Sequence, residues 1–222
     1  MTAWHALRNV ARLGKGERVL VHAGAGGVGM AAIQIAQYLG AEIIATAGSS
    51  SKRALLRTLG VRHLLDSRRG DFAEAVMELT GGKGVDVVLN ALAGEAIPMG
   101  LSCLGEFGRF IEIGKRDIYQ NTRIPLRPLR ANSSFHVVAM DAVFHGDEGL
   151  TRQMLEEIST PSRRNRETWP RWSACSATRA AAASVSGVSR VSDRFRLSAD
   201  GGRKTYRQSG GGVSGAVCAE AR

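Results

Sequence analysis

RVLVHAGAGGVGMAAIQIAQYL, running from Arg18 to Leu39, joins a β-rich run, a cluster of glycines and a helical repeat in that order. Val19, Leu20 and Val21 predict a short strand buried on both faces. Gly24, Gly26 and Gly29 then complete a G-x-G-x-x-G, and Val28, Ala32, Ile35 and Leu39 recur at helical spacing, so a helix begins inside the glycine loop. In such a turn Gly24 permits the tight strand-to-helix reversal, Gly26 lets the backbone approach a pyrophosphate, and Gly29 lets helix and strand pack closely. The helix N-terminus turns its free N–H groups and the positive end of its dipole toward the phosphates. A bare G-x-G-x-x-G is a weak signal, and the strand–glycine–helix order strengthens it. Gly24, Gly26, Gly27, Val28 and Gly29 are therefore read as cofactor-binding, the alternative being an α/β turn with glycines for packing only.

The chain alternates onward from this unit. Glu42 to Ala47 reads as a second strand, Lys52 to Leu59 as a helix, Val61 to Leu65 as a third strand and Asp71 to Leu79 as a helix. Val85 to Leu89, ending at Asn90, is a fourth strand. A helix from Ala96 to Leu104 follows, then a fifth strand from Gly108 to Ile113 that ends at Gly114-Lys115. A loop over Asp117 to Arg130 leads to a sixth strand, Phe135 to Met140, and a last helix, Leu150 to Ile158. Ahead of the first strand, Leu7, Val10 and Leu13 mark a short amphipathic helix. This order predicts an α/β fold, a doubly wound parallel sheet of Rossmann type, with ligands outside the carboxyl ends of the strands.

Two domains of unequal character are expected: a nucleotide-binding domain over residues 1–159 and a basic low-complexity tail over 160–222. Through Ser159, 18 Lys and Arg face 16 Asp and Glu; from Thr160 onward 12 face 4, so the net charge of +10 belongs mainly to the tail. It says little about partners of the domain, and nucleic acid is not expected. The tail holds 11 Arg and one Lys, few large apolar residues and no sustained period. It is read as disordered or non-native, with an out-of-frame translation of a GC-rich gene as one source. No apolar run reaches the length of a membrane span. Cys103, Cys175 and Cys218 show neither a disulfide framework nor metal-ligand spacing, so no metal is expected and a cytoplasmic location suits them.

The end of the second strand carries the cofactor choice. NAD-binding folds place an acidic residue there to accept the ribose hydroxyls. Here Ala47-Gly48 occupies the position, followed by Ser49, Ser50, Ser51, Lys52 and Arg53. Hydroxyls and two cations suit a 2′-phosphate that a carboxylate would repel, so NADPH is expected, bound by Ser49, Ser51, Lys52 and Arg53. Capping of the following helix by one of the serines is a compatible reading.

HAGAGGVGMAAIQIAQYLGAEIIATAGSSSKR, VDVVLNALAGEAI and GRFIEIGKRDIYQNTRIPLRPLR together resemble the enoylreductase domain of type I polyketide and fatty acid synthases, within the zinc-independent medium-chain dehydrogenase/reductase superfamily. The likeness covers about residues 1 to 158. It implies NADPH delivering hydride to C3 of a 2-enoyl thioester on an acyl carrier protein, with protonation at C2, among the other domains of a synthase; whether it forms a homodimer is left open. It further implies Lys115 as a proton-donor candidate, the alternative being that it binds cofactor or polarises the thioester carbonyl, and Asp141 as its orienting or relaying partner; Asn90 and Gly114 would border the nicotinamide ribose, a strand-terminating turn being the other reading of Asn90. An unperturbed lysine is a poor donor near neutral pH, so the donor role would require a lowered pKa. The resemblance also implies a substrate domain with no counterpart in this sequence, including a tyrosine that some members carry there. A non-catalytic nucleotide-binding module and a quinone reductase of the same superfamily remain as alternatives.

Overall fold

The computed structural model describes residues 1–159; the expectation of a disordered or non-native tail lies outside the described residues. Six strands form one parallel sheet in the order β3-β2-β1-β4-β5-β6: β1 Arg18–Val21, β2 Glu42–Thr46, β3 His63–Leu65, β4 Val85–Asn90, β5 Leu104–Glu112 and β6 Ser134–Val137. The doubly wound sheet expected from the alternating pattern is thus the fold observed. Growth runs from β1 through β2 to β3, then returns past β1 to β4, β5 and β6. The reversal opens a crevice between the carboxyl ends of β1 and β4.

Helices cover both faces. The N-terminal segment (α1, Thr2–Trp4, continued as a π-helical stretch over His5–Val10), α2 (Gly27–Leu39), α3 (Ser50–Thr58) and α8 (Glu148–Ser159) lie on one side. The helices α4 (Phe72–Leu79) and α5 (Ala96–Ser102) lie on the other. Alternation along the strands divides the core: Val19, Val21, Val87, Leu89 and Ile111 face the first layer, and Leu20, Ile44, Val88 and Phe110 the second. Each large aliphatic side chain buried this way contributes about 1.5–3 kcal/mol. Of the residues expected to turn inward near the N-terminus, Leu7 and Leu13 are buried and Val10 is half-buried against the same cluster.

The N-terminal segment is anchored at both ends. Arg109 of β5 makes a two-pronged ion pair with Glu17, both contacts at 2.8 Å, and donates to the carbonyl of Ala11 at 3.0 Å. That pair holds the Glu17 carboxyl below its usual range. Trp4 Nε1 donates to Glu157 of α8 at 2.8 Å.

The glycine loop departs from its expected geometry in one respect. The left-handed residue of the β1–α2 turn is Ala23, at φ +50°, and Gly24 has no positive φ. Gly24 is there for space: a Cβ on it would lie 3.0 Å from Leu56 Cδ1 and 3.2 Å from Ala45 Cβ. Gly29 behaves as expected, since a Cβ would lie 2.4 Å from the Ala23 carbonyl oxygen and 2.7 Å from Gly24 Cα.

Other boundaries shift for identifiable reasons. The helix expected to reach Leu104 ends at Ser102, and β5 begins at Leu104 rather than Gly108. Val85 pairs with Leu104 and Val87 with Arg109, so two steps along β4 match five along β5, a bulge that carries Phe107 at φ +57°. The sixth strand closes at Val137, because Met140 opens α7 (Met140–Gly146), a helix too short for its period to register in the sequence. The loop after β5 contains α6 (Arg116–Tyr119) and a 3₁₀ turn over Arg127–Ala131.

Gly29→Ala should be among the most damaging single changes in the fold, because its methyl would meet backbone on two sides. Urea unfolding of the variant is expected to show a loss of about 2–4 kcal/mol, and an unchanged midpoint would contradict the close-packing account.

Candidate nucleotide-binding site

Strand β1 delivers the chain to the loop His22–Gly26, and α2 leaves it with no side-chain cap at its N-terminus. Gly26, the N-cap, is extended at φ −82° and ψ 170°, and its carbonyl accepts from Met30 N at 2.9 Å. The first N–H groups of α2 have no acceptor within the helix. A Cβ on Gly27 would meet nothing within 4 Å, so the approach to these donors is open. The five glycine-loop residues expected to bind cofactor come together in one turn at the switch point, with the open helix N–H groups that an anion site requires.

His22, not singled out by sequence reasoning, closes the floor of this loop. It is 2% exposed; Nδ1 lies 3.0 Å from Thr46 Oγ1, its ring meets Phe72 edge-on, and Nε2 is buried with no partner. Burial pushes its pKa down to about 4, so at neutral pH it is an uncharged spacer between β1 and β2.

At the end of β2, Ser49 caps α3, its Oγ accepting from Lys52 N at 3.3 Å and lying 3.1 Å from Ser51 Oγ. Arg53 turns inward: its Nη1 donates to the Ala47 carbonyl at 2.8 Å and pairs with Asp66 at 2.9 Å. The other carboxylate oxygen of Asp66 accepts Arg68 N at 2.9 Å. The Arg68 side chain lies across Gly48, where a Cβ would sit 3.0 Å from Nε and 3.3 Å from Cγ. Asp66 thus ties the end of β2 to the turn after β3 and sets Arg68 beside the serine turn. Arg68 was missed because it lies in the Asp66-Ser67-Arg68-Arg69 turn, which reads in sequence as a polar connection.

Asn90 and Glu112 are paired across the ends of β4 and β5. Asn90 is fully buried; its Nδ2 donates to Glu112 Oε2 at 2.5 Å and to the Leu92 carbonyl at 2.7 Å, while its Oδ1 accepts from Leu92 N at 3.2 Å. Glu112 Oε1 accepts from Gly114 N at 2.5 Å. Burial raises the Glu112 carboxyl to about 6, against the lowering effect of these hydrogen bonds. The signal for Glu112 was an acid inside an otherwise apolar run, Phe110-Ile111-Glu112-Ile113.

Lys115 and Asp141 are brought together by α6 and α7, with Nζ and Oδ1 2.6 Å apart. Both are exposed, and their hydrogen bond raises the lysine pKa and lowers that of the aspartate. The lowered lysine pKa that a ready proton donor would need is therefore not found. Among the described residues no group of three His, Cys, Asp or Glu side chains could hold a metal ion. No helix among them is long and apolar enough to cross a membrane.

The comparisons give this strand-end geometry a family. Residues 27–159 match the zinc-binding dehydrogenase family, although the described residues supply no donor set for a zinc ion. A phenolphthiocerol/phthiocerol polyketide synthase polypeptide of Mycobacterium tuberculosis is 51% identical over 158 residues, 71% of this chain and 7% of that protein. The hybrid PKS-NRPS synthetase pynA of Aspergillus niger is 47% identical over 72% of this chain and 4% of its own length. Among solved structures, the nucleotide-binding subdomain of the enoylreductase domain of PpsC from M. tuberculosis aligns at TM-score 0.68 and 51% identity, covering 71% of this chain and 88% of that one. CurK enoyl reductase aligns at TM-score 0.64 and 46% identity, covering 71% of this chain and 47% of that one. The chain belongs to the zinc-binding dehydrogenase family, and its described part is similar to the nucleotide-binding subdomain of a polyketide synthase enoylreductase. It spans less than a tenth of the length of the curated relatives it matches.

The protonation state of His22 sets an acid limit on this fold. Its folded-state pKa lies below the unfolded value of 6.5, so its contribution is present above pH 6.5 and is lost as pH falls toward about 4. The loss should amount to about 3 kcal/mol. Glu112 acts with the opposite sign between pH 4.5 and about 6, because its folded pKa is raised. Urea unfolding of wild type and His22→Gln from pH 7 to 4 separates the two: the difference in stability should shrink over this window, and parallel curves would refute the account.

Proposed function

We propose that this chain is the cofactor half of an NADPH-dependent reductase that saturates 2-enoyl thioesters carried on an acyl carrier protein. The observation that carries the reading is the end of β2. No acid stands at Ala47-Gly48, Lys52 has no acidic partner among the described residues, and Arg68 is held across Gly48 by the turn that Asp66 organises. Ser49, Ser51, Lys52 and Arg68 supply hydroxyls and positive charge suited to a 2′-phosphate. Arg53, already engaged with Asp66, supports that turn from behind and adds charge at second hand.

When bound, NADPH supplies the hydride that adds to C3 of the enoyl group. The N–H groups at the start of α2 would hold the pyrophosphate, and Asn90 at the end of β4 and Gly114 just beyond β5 would border the nicotinamide ribose. Addition of hydride leaves negative charge on the thioester oxygen and at C2. Lys115, a cation paired with Asp141, is suited to stabilise that oxygen. The same partner makes Lys115 a weaker acid, so electrostatic stabilisation outweighs proton donation in its role, and C2 takes its proton from Lys115 or from solvent. Neighbouring synthase domains and the carrier protein are the partners this reading requires.

Fluorescence titration with both cofactors tests the nucleotide assignment. NADPH should bind at least about tenfold more tightly than NADH, and Lys52→Ala should cost about ten- to a hundred-fold for NADPH alone. Equal losses for the two cofactors would remove Lys52 from phosphate recognition. The reaction class is tested in a chimera that carries this chain's residues 1–159 in place of the matching part of an intact enoylreductase, with a crotonyl thioester as substrate. NADPH consumption is expected, slowed about a hundredfold or more by Lys115→Ala; a chimera that binds NADPH yet reduces no enoyl thioester would refute it.

A further inference from the structure

Glu112 is a buried carboxylate with no cation among its hydrogen-bond partners, at the point where two strand-end loops meet. It is 1% exposed and sits at the last position of β5, opposite Asn90 on one side and Val137 on the other. Its two oxygens are divided between the loops: Oε2 takes the side-chain amide of Asn90 and Oε1 takes the backbone amide of Gly114, each at 2.5 Å. Asn90 in turn holds both the N–H and the carbonyl of Leu92. Gly114 has no room for a side chain, since a Cβ would sit 2.7 Å from Glu112 Oε1. A second tie joins the same loops further out, where Gly94 N donates to Asp117 Oδ2 at 3.2 Å. Burying a carboxylate without a counter-ion is costly, and an apolar residue would pack the end of β5 at less expense. Its position therefore points to a demand for two fixed acceptors at this place.

We infer that Glu112 is a positioning residue for the nicotinamide end of the cofactor: it clamps the β4–α5 loop to the β5–α6 loop, fixing Asn90, the Gly114 amide and, next along the chain, Lys115. The inference rests on the proposed nucleotide reading and adds a division of labour to it. The glycine loop and the serine turn hold the adenine, pyrophosphate and 2′-phosphate, while Glu112 governs only the segment that borders the nicotinamide. Glu112→Gln breaks the clamp chemically without a large change in volume. Glutamine offers one acceptor where the carboxylate offers two, so in either orientation its NH2 faces one of the two donors, Asn90 Nδ2 or Gly114 N; turning Asn90 over to accept would set its own donor against Leu92 N.

Two ligands separate this from a general effect on the fold: NADPH, and 2′-phosphoadenosine 5′-diphosphoribose, which lacks the nicotinamide. Affinities are measured for the whole chain and for Glu112→Gln, with Gly114→Ala as a second variant that pushes the carboxylate away from the other side, and urea unfolding identifies any variant that fails to fold. The expected result is a loss of about tenfold in NADPH affinity with the truncated ligand unaffected in both variants. Equal losses for the two ligands, or no loss for either, would overturn the clamp while leaving the nucleotide reading intact. Wild-type protein that binds neither ligand would overturn the nucleotide reading itself, and this inference with it.

Discussion

The contact between Gly29 and the backbone of Ala23 and Gly24 sets the rest of the molecule. At that separation no side chain fits, so α2 can lie against the end of β1 only with a glycine at this position. The close approach aims the start of α2 at the crevice between β1 and β4 and aligns the helix over Val19 and Val21, whose side chains share its core layer. Everything that a phosphate would meet, the open N–H groups above Gly27 included, follows from that one orientation.

Around this turn the strand ends are tied in pairs by buried or half-buried polar groups. His22 meets Thr46 between β1 and β2, Asp66 joins β2 to the turn after β3 through Arg53 and Arg68, and Glu112 joins β4 to the loop after β5. These groups carry out structural work at the edge of a sheet where the backbone ladder stops. A parallel sheet exposes unpaired donors and acceptors at its carboxyl edge, and short polar side chains satisfy them while leaving the crevice open. The same edge is where a dinucleotide would lie, so the ties also set the shape of the site.

The two cations expected to share one task have different surroundings. Lys52 lies in the first turn of α3, its backbone N–H bonded to the Ser49 cap, whereas Arg53 turns back to the carbonyl of Ala47 and the carboxylate of Asp66. The charge of Arg53 is largely neutralised by its partner, while Arg68 lies beside Gly48 from another loop. The ion pair of Lys115 with Asp141 acts on acidity: a lysine is cationic at neutral pH in any case, and the carboxylate beside it makes the ammonium a weaker acid.

The sequence by itself determined the class of fold, because strand and helix periods differ and alternate without ambiguity through residue 113. It also located the glycine turn, the absence of an acid after β2, the end of β4 at Asn90 and the end of β5 to within a residue of Glu112, since each of these is a local property of a few consecutive residues. Tertiary structure alone decided the β5 bulge, which depends on how Leu104 and Arg109 register against β4. It alone paired Glu112 with Asn90, set Arg68 over Gly48, diverted Arg53 to Asp66 and joined Lys115 to Asp141. Each of these contacts links residues that the chain order separates by more than a dozen positions, and only the packing of one strand end beside another brings them within hydrogen-bond reach.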